Sequence, residues 1–120
     1  MKKEEKSKTE KIALLNDACR QSVMIPVFGK SPGEIFYTRG ISSLSPFAQV
    51  EIAAMVRNFV DFNDGNNPYG ERDFGSFKYE GKTIFWKIDY YDLDMKYGSS
   101  DPTNPDITTR VLTIMLAREY

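Results

Sequence analysis

Apolar residues along the chain recur at two different periods, and the switches between them mark the elements. Ile12, Leu15 and Cys19 fall on one face of a helix, which Ser7 and Glu10 open with the spacing of a capping box. Val23 to Phe28 is β-branched and apolar, and Pro26, lacking a backbone donor, places it on a sheet edge. GKSPG turns the chain, and Ile35 to Thr38 reads as the returning strand of a first hairpin. Ser45 with Pro46 starts a second helix, whose apolar face is Ile52, Met55, Val56 and Phe59 at i, i+3, i+4, i+7 spacing.

The segment DFNDGNNPYG, from Asp61 to Gly70, is dense in turn-forming residues and reads as a loop. Asp73 to Tyr79 and Lys82 to Tyr90 then alternate around Glu80-Gly81, which has the length and the glycine of a two-residue hairpin turn. That turn fixes a register: Phe77 faces Ile84, Gly75 faces Trp86, Tyr79 faces Lys82, and Arg72 faces Asp89. Gly75 leaves room for the indole of Trp86, so this face belongs to the core and the face of Phe74, Phe85, Lys87 and Asp89 is partly wet. Tyr91 to Thr103 is a second long loop. Asn104, Pro105 and Asp106 form a helix N-terminus, and Val111, Leu112, Ile114, Met115 and Leu116 leave that last helix only a narrow polar edge. The resulting order, α-ββ-α-ββ-α, is an α+β domain with a mainly antiparallel sheet of about four strands in two hairpins, covered by three helices.

At 120 residues the chain fits one domain, 1–120, with residues 1–7 a frayed, solvated lead. The single cysteine and the lack of a secretory leader pattern point to the cytoplasm, and no apolar run is long enough to cross a bilayer. The net charge of −1 hides an asymmetry. Residues 1–11 hold five Lys against three Glu, whereas residues 61–106 hold ten acids against five bases. So acidic a region repels a phosphate backbone, which disfavours direct nucleic-acid binding.

Eleven of the sixteen aromatic residues lie between Phe59 and Tyr97, interleaved with acids. The blocks NNPYGERDFG, FWKIDYYD, YGSSDP and RVLTIMLAREY resemble, in that order, the signature of a bacterial family of small proteins known only as a domain of unknown function. The resemblance covers nearly the whole chain, most strongly Phe59 to Tyr120. It implies a bacterial accessory protein of the kind carried on mobile elements, with no activity to transfer. Family members often read E-H-D-F-G where this chain has Glu71-Arg72-Asp73-Phe74-Gly75. Arginine stays protonated and offers no lone pair, so a catalytic or metal-binding imidazole is not a general feature there.

The chain has no histidine, which excludes Ser-His and Cys-His nucleophiles and every His-containing metal site. Cys19, on an apolar stripe, reads as a small buried hydrophobe. An EF-hand started at Asp61 fails because Gly65 falls one position early. Asp73 with Glu80-Gly81-Lys82 follows the residue order of metal-dependent nucleases, but Glu80 and Lys82 sit at a hairpin tip. Glycine cradles for phosphates are absent, and no cofactor or metal is implied. An acid–base pair of Glu71 with Asp89 supports the alternative of a carboxylate-based or Mg-dependent enzyme; against it, Arg72, Lys87 and Asp89 form a cross-strand charge lattice.

What remains is a recognition surface. The register brings the Asn66–Asp73 loop beside the Asp89–Asp101 loop, and the expected binding residues are Asn66, Tyr69, Glu71, Arg72, Asp73, Lys87, Asp89, Tyr91, Asp92 and Asp101. Such a surface suits a protein-binding or inhibitory module. One specific form is a nucleic-acid mimic that presents carboxylates to a basic nucleic-acid-binding enzyme; another is homo-oligomerisation.

Overall fold

The computed structural model describes residues 7–120. Residues 1–6 of the expected frayed lead lie outside that range. Ser7 is fixed: its Oγ accepts from the Glu10 amide at 3.1 Å and caps α1 (Lys8–Gln21). The buried side of α1 is Ile12, Ala13, Asn16, Cys19 and Arg20, with Leu15 only half-buried. Two polar residues therefore occupy the inward stripe. Cys19 is buried as expected, and burial pushes its thiol up to about 11, too high for a nucleophile at neutral pH.

The first hairpin does not form. Val23 is buried, but Met24 takes a left-handed φ of 57°, and the apolar stretch Met24–Phe28 runs on as exposed, non-strand chain, Phe28 being 95% exposed. Strand β1 (Glu34–Tyr37) pairs elsewhere. A short α2 (Arg39–Ser42), unforeseen in the sequence, leads into α3 (Pro46–Arg57), which starts at the expected cap: Ser45 Oγ accepts from the Ala48 amide at 3.1 Å. Ile52 and Val56 of α3 and Phe59 beyond it are buried, whereas Met55 lies at the exposed margin.

Strands β2 (Phe74–Tyr79) and β3 (Lys82–Tyr91) form the expected hairpin in the expected register, with Gly75 opposite Trp86 and Phe77 opposite Ile84. Glu80 and Gly81 both have positive φ, 47° and 80°, as a type I′ turn requires. Trp86 is fully buried against Phe59 and Phe62, with ring centroids at 5.6 and 6.1 Å.

The expected last helix is instead strand β4 (Thr109–Leu116), followed by a 3-10 turn, Ala117–Glu119. Its near-continuous apolar run is buried on both faces because it occupies an interior position of the sheet, a pattern that periodicity does not separate from a buried helix. Asn104 does not cap a helix; its Oδ1 accepts from the Asp106 amide at 2.9 Å, closing a turn. The four-stranded sheet has the order β1-β4-β3-β2, with β1 parallel to β4 and the other pairs antiparallel. The fold is thus α+β with a mixed sheet and one hairpin, not two.

Ile84, Trp86 and Ile88 of β3 and Leu112, Ile114 and Leu116 of β4 join Cys19, Ile52, Val56 and Phe59 in the core. The other face of β2 and β3 is half-exposed, as expected. There Phe74, Phe85 and Tyr120 meet edge to face or tilted, with centroids 5.1–6.3 Å apart.

Candidate functional site

The pairing puts the starts of β1, β2 and β4 and the end of β3 at one end of the sheet: Glu34 lies beside Val111, Tyr91 beside Thr109, and Phe74 beside Lys87. The β2–β3 ladder closes there with the Ile88 amide donating to the Asp73 carbonyl at 2.9 Å. Arg72 then takes a φ of 52° and leads the chain away. Peptide groups of Ile88 and Tyr90, two residues apart, point to the same side of β3. The vacated place beside Tyr90 is filled by the second loop, whose Ser99 amide donates to the Tyr90 carbonyl at 3.1 Å, while Asp92 N donates to Tyr97 O at 2.8 Å. Both loops thus leave the sheet at this end, the second filling the edge that the first vacates.

A buried polar network holds them to α1. Asn16 is fully buried; its Nδ2 donates to the Glu71 carbonyl (2.9 Å) and to Tyr90 Oη (2.8 Å), and its Oδ1 accepts from Arg110 Nε (2.7 Å). Tyr90 Oη donates to Glu71 Oε1 at 2.7 Å, and burial with that carboxylate partner pushes its ionisation far above the usual phenol range. Arg110 stacks over the Tyr90 ring at 5.1 Å and donates through Nη2 to the Pro102 carbonyl at 2.6 Å, so the second loop is pinned as well. Burial lowers the pKa of Arg110 from the usual guanidinium value.

Arg72 does not face Asp89. Its left-handed backbone removes it from the ladder, and its guanidinium grips Asp17 of α1 through Nε (3.0 Å) and Nη2 (2.7 Å). Asp17 also accepts from Arg20 at 3.2 Å, and Arg20 reaches back to the Val56 and Arg57 carbonyls at the end of α3. The expected lattice is reduced to Lys87 with Asp89, neighbours on one face of β3. Glu71 and Asp89 are not brought together as an acid–base pair. Glu71 is bonded to Tyr90, and consecutive strand residues such as Asp89 and Tyr90 project to opposite faces.

The remaining predicted residues divide between scaffold and surface. Asn66 is a loop brace, accepting from the Asn63 amide (2.8 Å) and donating to the Asp61 carbonyl (3.0 Å). Asp92 closes its own turn on the Lys96 amide (3.0 Å), and Asp101 closes another on Thr103, whose hydroxyl and amide hold its carboxyl below the usual range. Asp73 is half-buried beside the charge of Glu71, and burial raises its pKa. Tyr91 is half-buried and bridges to Gly98. Tyr69 is free of such duties and 81% exposed; on the second loop Tyr97 is 75% exposed, with Leu93 and Met95 also outward. Among the described residues no group of three or more His, Cys, Asp or Glu side chains is arranged to hold a metal ion.

Residues 37–119 match the sequence model of a family described as Protein of unknown function (DUF3768). The chain belongs to that family. No curated protein and no solved structure matches it. The match of this DUF3768 member takes in β2 to β4 and both loops but stops short of α1, whose Asn16, Asp17 and Arg20 hold the loop end together. Those three, with Tyr90 as a network member and Arg110, are absent from the sequence-derived site. Polar residues at inward positions were the one available signal. Among the described residues no helix is long and apolar enough to cross a membrane.

Proposed function

We propose that this chain is a protein-binding module that engages its partner through the loop end of the sheet. One observation carries the reading: Tyr69 and Tyr97, with Leu93 and Met95, are exposed on loops whose backbones are tied to the body of the fold, the first by Asn16 of α1 at the Glu71 carbonyl, the second by Arg110 of β4 at the Pro102 carbonyl and by its own Ser99 amide at the Tyr90 carbonyl of β3. Exposed aromatics on a fixed backbone lose little conformational freedom on binding, and Tyr supplies both contact area and a polar tip.

Most acids of the expected site favour this version over phosphate mimicry, although Asp61, Asp64 and Asp94 on the same loops do point outward. Glu71 is bonded inward, Asp89 is paired with Lys87, Asp17 is shared by two arginines, and Asp92 and Asp101 are turned into their own loops. A mimic presents its charges outward. Once a partner has been captured from a bacterial host and identified, its affinity for the wild type and for a Tyr69→Ser/Tyr97→Ser variant is compared by calorimetry. The expected result is at least about a tenfold loss with an unchanged melting temperature, two lost aromatic anchors being ample for about 1.4 kcal/mol. Equal affinity of the two proteins overturns the reading. Affinity that collapses between about 50 and 200 mM salt and ignores the tyrosines assigns recognition to the acids instead.

A further inference from the structure

Beside the loops, where β1 and β4 begin, lies a cleft of about 300 Å³. Leu15 and Ala18 of α1, Leu93 and Pro105 give it apolar walls; Thr108, Thr109 and Arg110 line it from β4 and the approach to it. Gly33 is required at its edge, because a Cβ there would lie 2.5 Å from Cys19 Sγ and 2.9 Å from the Arg110 carbonyl. Lys30 reaches across from the loop before β1 to the Pro105 carbonyl and to Asp106, each at 3.0 Å, and Glu34 stands exposed at the rim.

Arg110 is the unusual member. It is only 3% exposed, yet its protein acceptors are an amide oxygen and a backbone carbonyl, not a carboxylate. Nε and Nη2 are engaged in this way, Nη1 has no acceptor among the described residues, and Arg110 lines the cleft. A buried guanidinium without an ionised partner is costly, and a carboxylate accepting from its remaining donor would supply one. We propose that this cleft binds a small organic carboxylate, the carboxylate on Arg110 Nη1 and the apolar part against Leu15, Ala18 and Leu93. At the mouth the Lys30 charge is paired with Asp106, and the Glu34 carboxylate, unpaired among the described residues, stands in solvent, where its repulsion of the ligand is screened.

The test uses the full chain and a panel of acetate, butyrate and phenylacetate, each at about 10 mM, with butyramide and inorganic phosphate as controls. Stabilisation follows RT ln(1 + [L]/Kd), so a carboxylate with a Kd of about 1 mM raises the melting temperature measurably. Butyrate or phenylacetate is expected to do so and butyramide is not, with backbone amide shifts confined to Ala18, Gly33 and Thr108–Arg110. Arg110 also holds the loop network, so its replacement is a poor probe. Ala18→Phe, at an exposed helix position, fills the cleft from outside: it should fold with an unchanged melting temperature and lose the response. No response of the wild type to any of the three carboxylates, an equal response to butyramide, a response to phosphate alone, or a response that survives Ala18→Phe overturns the proposal.

Discussion

A Cβ at position 75 would lie 2.6 Å from Trp86 Cε2 and 2.9 Å from Phe59 Cε2, two rings of the core. Gly75→Val should therefore destabilise the protein by about 1–3 kcal/mol through overpacking, read as a lower midpoint in urea. Asp73 sits nearby with the opposite problem, a charge that folding partly desolvates beside Glu71. Its pKa is higher folded than unfolded, so the folded state binds the proton more tightly. Stability is lost as pH rises from the unfolded value, about 3.9, through the folded one. Asp73→Asn should raise the melting temperature at about pH 7 and lose that advantage near pH 3; an equal shift at both would point to packing rather than charge. The Gly75–Trp86 contact was legible because strict alternation and a two-residue turn leave one register. The partner of Arg72 was not, because a single left-handed φ removes the residue from the ladder that the register assumes.

Among the elements, the β2–β3 hairpin follows most directly from local chemistry. Glu80 occupies the left-handed first position of a type I′ turn with a side chain poorly suited to it. Glu80→Asn gives the preferred Asn-Gly pair and should stabilise by about 0.5 kcal/mol or more, seen as a raised urea midpoint with an unchanged slope. The two misread elements share a cause. Residues 109–116 are apolar at nearly every position, and Met24–Phe28 has strand composition without a strand partner; in both, local sequence is silent and the sheet decides. β4 takes the place beside β1 that a first-hairpin strand would have filled. Caps and alternation identified α1, α3, β2 and β3, while the parallel pair was out of their reach.

For the whole molecule, α1 is the clasp of the loop end. Asn16 and Arg20 are buried, hydrogen-bonded residues on a helix that a hydrophobicity pattern turns outward, so the site's supports were hidden where its surface was visible. The position of the two loops was legible because the hairpin register sets it. The cleft at Arg110 was not, since it needs β4 beside β1. That same parallel pairing also orders events in time. β1 has its partner in Thr109–Leu116, with paired residues such as Glu34 and Val111 separated by 77 positions, so a growing chain on the ribosome completes α1, β1, α3 and the β2–β3 hairpin before the strand that joins them exists. Closing so long a loop precedes any reward from the central contacts, which makes assembly slow and non-local. The nascent protein must therefore carry an open sheet edge and its apolar face until β4 emerges, and its exposure to chaperones and to aggregation is concentrated in that interval.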